Sequence, residues 1–131
     1  MADFKVAYNA GFDLLGDFTG YRRAVIVDSI ISGLDKPGTV KTFDISRVEA
    51  SFGGNLSSLH ALGFQSIVEI GIKCGYSMPD EIKIISIEAA DVTTFSETPT
   101  PVVEAATAEV VKKIGVYLDD LITARNRARV L

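Results

Sequence analysis

A chain of 131 residues, 47% hydrophobic and 23% charged, is long enough for one domain with a buried core and too apolar to remain disordered. Its 13 Lys and Arg against 17 Asp and Glu leave a net charge of −4, which excludes the basic footprint of a nucleic-acid binder. No apolar run approaches the roughly 20 residues that span a bilayer, and the opening Met1-Ala2-Asp3-Phe4-Lys5 lacks the basic start and apolar stretch of a signal peptide. A cytoplasmic protein with no membrane partner is expected.

In chain order, residues 4–8 read as a short strand, followed by turn chemistry at Asn9-Ala10-Gly11 and a brief helical turn over 12–18 that Gly20 ends. Residues 22–28, Arg-Arg-Ala-Val-Ile-Val-Asp, give the clearest strand: a β-branched run closed by an acid suits a strand covered on both faces, at the sheet centre. Lys36-Pro37-Gly38 marks a turn, and 39–45 alternates as the next strand, of undetermined sense. Phe52-Gly53-Gly54-Asn55 reads as a loop, and Ser57 and Ser58 are candidate N-caps for a helix whose apolar periodicity runs over 64–74. The single cysteine, Cys74, can form no internal disulfide and reads as part of that helix's buried side. Tyr76-Ser77-Met78-Pro79 breaks the helix, and 81–88 alternates like a strand. After a loop over 93–101, Pro101 suits a first helical turn, and Val103, Ala106, Val110, Ile114, Leu118 and Leu121 recur at the spacing of an amphipathic helix. The tail Arg125-Asn126-Arg127-Ala128-Arg129 is read as a solvated helix end whose cations complement the carbonyl terminus. With no repeat or low-complexity tract, the alternation of elements predicts a single α/β domain over 1–131, of which 124–131 form the basic tail.

Three segments, Val25-Ile26-Val27-Asp28, Lys36-Pro37-Gly38-Thr39-Val40 and Ser57-Ser58-Leu59-His60-Ala61-Leu62-Gly63-Phe64, resemble in content and order the hydrogenase maturation endopeptidases. The resemblance spans roughly residues 9–118 and is most specific over 26–64. It implies a three-layer α/β/α fold with a mostly parallel, twisted central sheet of about four to five strands. It also implies an activity: removal of the C-terminal extension of a nickel-containing hydrogenase large-subunit precursor after nickel insertion. Members contact the precursor's nickel through two acids and a histidine, and the matching positions are Asp28 and His60, as metal-contacting and catalytic residues. The third acid belongs to a Gly-x-Gly-Asn opening with no counterpart found here, so the domain is expected to be incomplete at its amino end relative to the family. The resemblance implies no resident cofactor: the nickel is carried by the substrate. A relative of a different class, binding the precursor without cutting it or forming homo-oligomers through an exposed sheet edge, is the alternative.

The chemistry of the two residues agrees with that role. An acid at the carboxyl end of a strand lies where open α/β sheets gather ligands, and imidazole with carboxylate oxygen suits a borderline divalent metal such as nickel or zinc. Two ligands fall short of the four that a structural metal site uses. Each residue also has a plainer role, Asp28 capping the following turn and His60 as a polar residue at a helix start. Asp13, Asp17 and Glu49 read as surface or turn carboxylates. No Ser/His/Asp or Cys arrangement points to an acyl-enzyme.

Overall fold

The computed structural model describes residues 3–6, 13–47, 59–90 and 98–130, with the backbone alone at 59–63 and 124–130. Three strands form its sheet: β1 (Arg23–Ile30), β2 (Val40–Asp44) and β3 (Glu81–Glu88), in the spatial order β1-β3-β2. β1 runs parallel to β3, with Asp28 opposite Ser86 and Ile30 opposite Glu88. β2 runs antiparallel to β3, with Lys41 opposite Ser86 and Phe43 opposite Ile84.

β3 is the middle strand because it is apolar on both faces: Ile82 and Ile84 point one way, Ile85 and Ile87 the other, and all four are buried. The sequence pattern puts the strand over 22–28 at the centre; among the described residues that strand is β1, at an edge, and Val27 is exposed. The described residues carry three strands against the four to five anticipated. Residues 4–6 of the segment expected as an opening strand have no regular structure, with Phe4 and Val6 exposed, and residues 7–8 lie outside the described residues.

Helices cover both faces, giving three layers. On one side α1 (Asp13–Phe18) and α2 (Leu59–Lys73) supply Leu14, Phe18, Phe64 and Ile67, which pack with Met78, Ala24, Ile26 and Ile45. On the other, α3 (Pro101–Val130) lays Val103, Ala106, Val110 and Ile114 against Val25, Val40, Ile85 and Ile87. Those four α3 positions belong to the amphipathic stripe read from the sequence.

α2 stops at a glycine. Gly75 adopts φ +85°, the Gly75 N–H donates to the Ile72 carbonyl at 3.0 Å and the Tyr76 N–H to the Gly71 carbonyl at 2.9 Å, a Schellman closure. The expectation that Cys74 is core fails here. The chain leaves the helix before Cys74 could join the Phe64–Ile67 face, and the thiol is exposed. No helix of the described residues is long and apolar enough to cross a membrane.

Candidate functional site

Asp28 sits two residues before the end of β1, half-buried, and its Oδ1 accepts the Ser29 N–H at 2.9 Å. Alternation along the strand puts it on the face shared by Ala24, Ile26 and Ile30, the face that α1 and α2 cover. Its neighbours across the sheet on that face are Ser86 and then Lys41. The row of carboxylate, hydroxyl and ammonium interrupts an otherwise apolar surface at the carboxyl ends of the two parallel strands.

The backbone of His60 lies in the first turn of α2. The connection from Gly75 to Asp80 is short and pinned: the Gly20 N–H donates to the Ser77 carbonyl at 2.9 Å and the Asp80 N–H to the Arg22 carbonyl at 3.0 Å. The helix therefore ends near the starts of β1 and β3 and runs antiparallel to them, directing its first turn toward the end of the sheet that carries Asp28. The His60 side chain, Ser57, Ser58 and Glu49 lie outside what is described. Asp13 is exposed in the first turn of α1, and Asp17 pairs with Lys5, in keeping with surface roles. Among the described residues no three His, Cys, Asp or Glu side chains group as a metal-binding set.

The turn chemistry of Lys36-Pro37-Gly38-Thr39 has a packing reason. Gly38 adopts φ +91°, and a Cβ there would stand 2.5 Å from Val102 Cγ1 and 3.3 Å from the Val102 carbonyl oxygen. The glycine thus allows the loop after β1 to lie directly on the start of α3.

Sequence reasoning missed Glu88, the last residue of β3. It is 4% exposed, and its carboxylate accepts two backbone N–H groups and a hydroxyl from the loop that follows β1. The signal was present in the sequence, since an acid closing an apolar strand is the feature that singles out Asp28.

The opposite end of the sheet carries a second polar group. The Tyr117 hydroxyl donates to Glu81 Oε1 at 3.0 Å, Arg23 Nε donates to Glu81 Oε2 at 3.0 Å, and Lys83 pairs with Asp44 at 3.2 Å. Burial, then the hydrogen bond and negative charge of Glu81, push the Tyr117 hydroxyl up to about 12. This group ties α3 to the amino ends of β1 and β3, far from Asp28.

The model of the hydrogenase maturation protease family matches residues 9–115, most of the chain, including the three strands of the described residues. The chain belongs to that family. Its fold is similar to that of the hydrogenase maturating endopeptidase HybD from E. coli, with a TM-score of 0.65 and 25% identity, over 85% of this chain and 67% of that one. It is likewise similar to an endopeptidase from Escherichia coli solved in solution, with a TM-score of 0.58 and 27% identity, over 80% of this chain and 63% of that one. The chain thus spans about two thirds of the length of these two proteins. No match was found among curated protein sequences.

Proposed function

We propose that this chain is an endopeptidase that removes the C-terminal extension of a nickel-containing hydrogenase large-subunit precursor once nickel has been inserted. The observation that carries the reading is the family match over residues 9–115, which takes in both Asp28 and His60. Asp28 lies near the carboxyl end of β1, and the first turn of α2, whose backbone includes His60, is directed to the same end of the sheet. In this reading both contact the nickel of the precursor, which belongs to the substrate, and the protease acts only where that metal is present to bridge the two proteins. Hydrolysis then proceeds by attack of water on the polarised peptide carbonyl, with an acid as base. No Ser or Cys nucleophile is involved, and the working compartment is the cytoplasm, where precursor and protease meet.

A second reading is a relative that binds the precursor, or pairs with itself, without cutting. Intact mass of a nickel-loaded precursor before and after incubation separates the two. Loss of one discrete C-terminal peptide with the native chain, and none with His60→Ala, is the expected result. An unchanged mass with measurable binding would establish the second reading, and neither cleavage nor binding would overturn both.

A further inference from the structure

The end of the sheet that carries Asp28 is shaped by an acid that the processing reading does not use. Glu88 Oε1 accepts the N–H groups of Ser32 and Gly33 at 2.8 and 3.1 Å, and Oε2 accepts the Ser32 hydroxyl at 2.9 Å. The Ser32 oxygen in turn accepts the Leu34 N–H at 3.1 Å. Gly33 adopts φ +72°, so that successive N–H groups converge on one oxygen as in an anion-binding nest. The backbone of the same residue holds the other end of the loop: the Gly38 N–H donates to the Glu88 carbonyl at 2.7 Å, and the Glu88 N–H donates to the Thr39 carbonyl at 2.9 Å.

One residue therefore fastens the loop between β1 and β2 at both ends. Burying a carboxylate is expensive unless its oxygens are fully hydrogen-bonded, and a loop needed only to join two strands has no use for it. What the fastening fixes is the part left outside. Leu34 is 52% exposed at the crest, beside Asp35, whose carboxylate pairs with Lys41 on β2. A pre-ordered loop with an exposed leucine, leaving the strand that carries Asp28, is a surface on which an extended polypeptide can be held at low entropic cost.

We infer that Glu88 is a positioning residue for precursor recognition: through the Ser32–Gly33 turn it holds residues 33–37, with Leu34 at their crest, in the shape that receives the precursor polypeptide beside Asp28. The inference rests on the processing reading.

The test compares Glu88→Ala and Glu88→Gln in the full chain, reading precursor cleavage or, if the native chain only binds, precursor affinity, together with amide hydrogen exchange at Ser32, Gly33 and Leu34. Glu88→Ala is expected to raise KM or Kd roughly tenfold with kcat changed less than about twofold, and to speed exchange at the three amides. The glutamine amide oxygen can accept the same two N–H groups and its NH2 can donate to Ser32 Oγ, so Glu88→Gln is expected to restore KM to within about threefold of the native value. Should Glu88→Ala fail to fold, Ser32→Ala removes the hydroxyl arm and the acceptor of the Leu34 N–H but leaves both backbone N–H bonds to Glu88, and should give a smaller rise in KM of the same kind. An unchanged KM and Kd in the alanine variants overturns the inference, as does activity lost only in proportion to the unfolded fraction. If the native chain neither binds nor cuts the precursor, the processing reading and this inference fall together. Exchange then distinguishes the two failures: faster exchange in Glu88→Ala leaves the clamp standing with the wrong partner, and unchanged exchange removes the clamp itself.

Discussion

At the scale of single residues, chemistry and stability separate cleanly at Asp28. The side chain is half-buried, and its bond to the Ser29 N–H survives in Asp28→Asn, because an amide oxygen accepts as a carboxylate does. The variant should therefore keep its thermal stability, with a change of at most about 1.5 kcal/mol. On the proposed processing reading, in which Asp28 offers its negative charge to the substrate's nickel, precursor cleavage should fall by at least about a hundredfold. Equal activity in Asp28→Asn would take Asp28 out of the site. Tyr117 gives the converse case, stability without chemistry. Its hydroxyl is raised from 10.0 to about 12, so the neutral form is favoured by folding. The associated stability is fully present below pH 10 and is lost as pH rises through about 12. Tyr117→Phe should cost about 0.5–1.5 kcal/mol near neutral pH and flatten the stability profile between pH 10 and 12. A denaturation midpoint with the same alkaline slope in both proteins would show that the Glu81 contact does not matter.

At the scale of elements, the loop between β1 and β2 depends on the backbone freedom of Gly38 at its far end, as it does on Gly33 at its start. Gly38→Ala meets two penalties, a side chain in the left-handed region and a Cβ driven into Val102. Together they should destabilise the domain by about 2–4 kcal/mol, read as a lower midpoint in urea. A loss under about 0.5 kcal/mol would mean that the loop and the start of α3 part easily. The Pro-Gly-Thr turn is legible in the sequence because glycine and proline declare local geometry on their own. Other features are not legible for equally physical reasons. β1 reads as central because Val25-Ile26-Val27 is apolar throughout, yet the middle place goes to β3, whose isoleucines are buried on both faces. The sense of β2 depends on where the chain returns after the loop, which the alternation of 39–45 does not encode. Cys74 keeps the spacing of the buried face but lies just past the last helical residue, Lys73, where the chain is already turning away into the Gly75 cap. Glu88 carries the same mark as Asp28, an acid closing an apolar strand, but its role becomes visible only when folding brings Ser32 and Gly33 to it, 56 and 55 residues away in the chain.

At the scale of the whole molecule, the lengths of the elements do not match. α3 has 30 residues and extends about 45 Å, whereas the eight residues of β3 cover about 26 Å. The sheet can support only part of that helix. Val103, Ala106, Val110 and Ile114 pack on it, Tyr117 reaches back to Glu81, and farther on Ile122 is exposed, as are Val111 and Val116 on the sides turned from the sheet. Helix stability in water comes mainly from packing of an apolar face, so protection against amide exchange should be high over 105–117 and should fall steeply beyond Leu121. Monitoring exchange over minutes to hours reads this directly. Protection that continues undiminished to the end of α3 would require a covering surface for Val111 and Ile122. A change of protection with protein concentration would then identify that surface as a second copy of the chain, and concentration independence would exclude it.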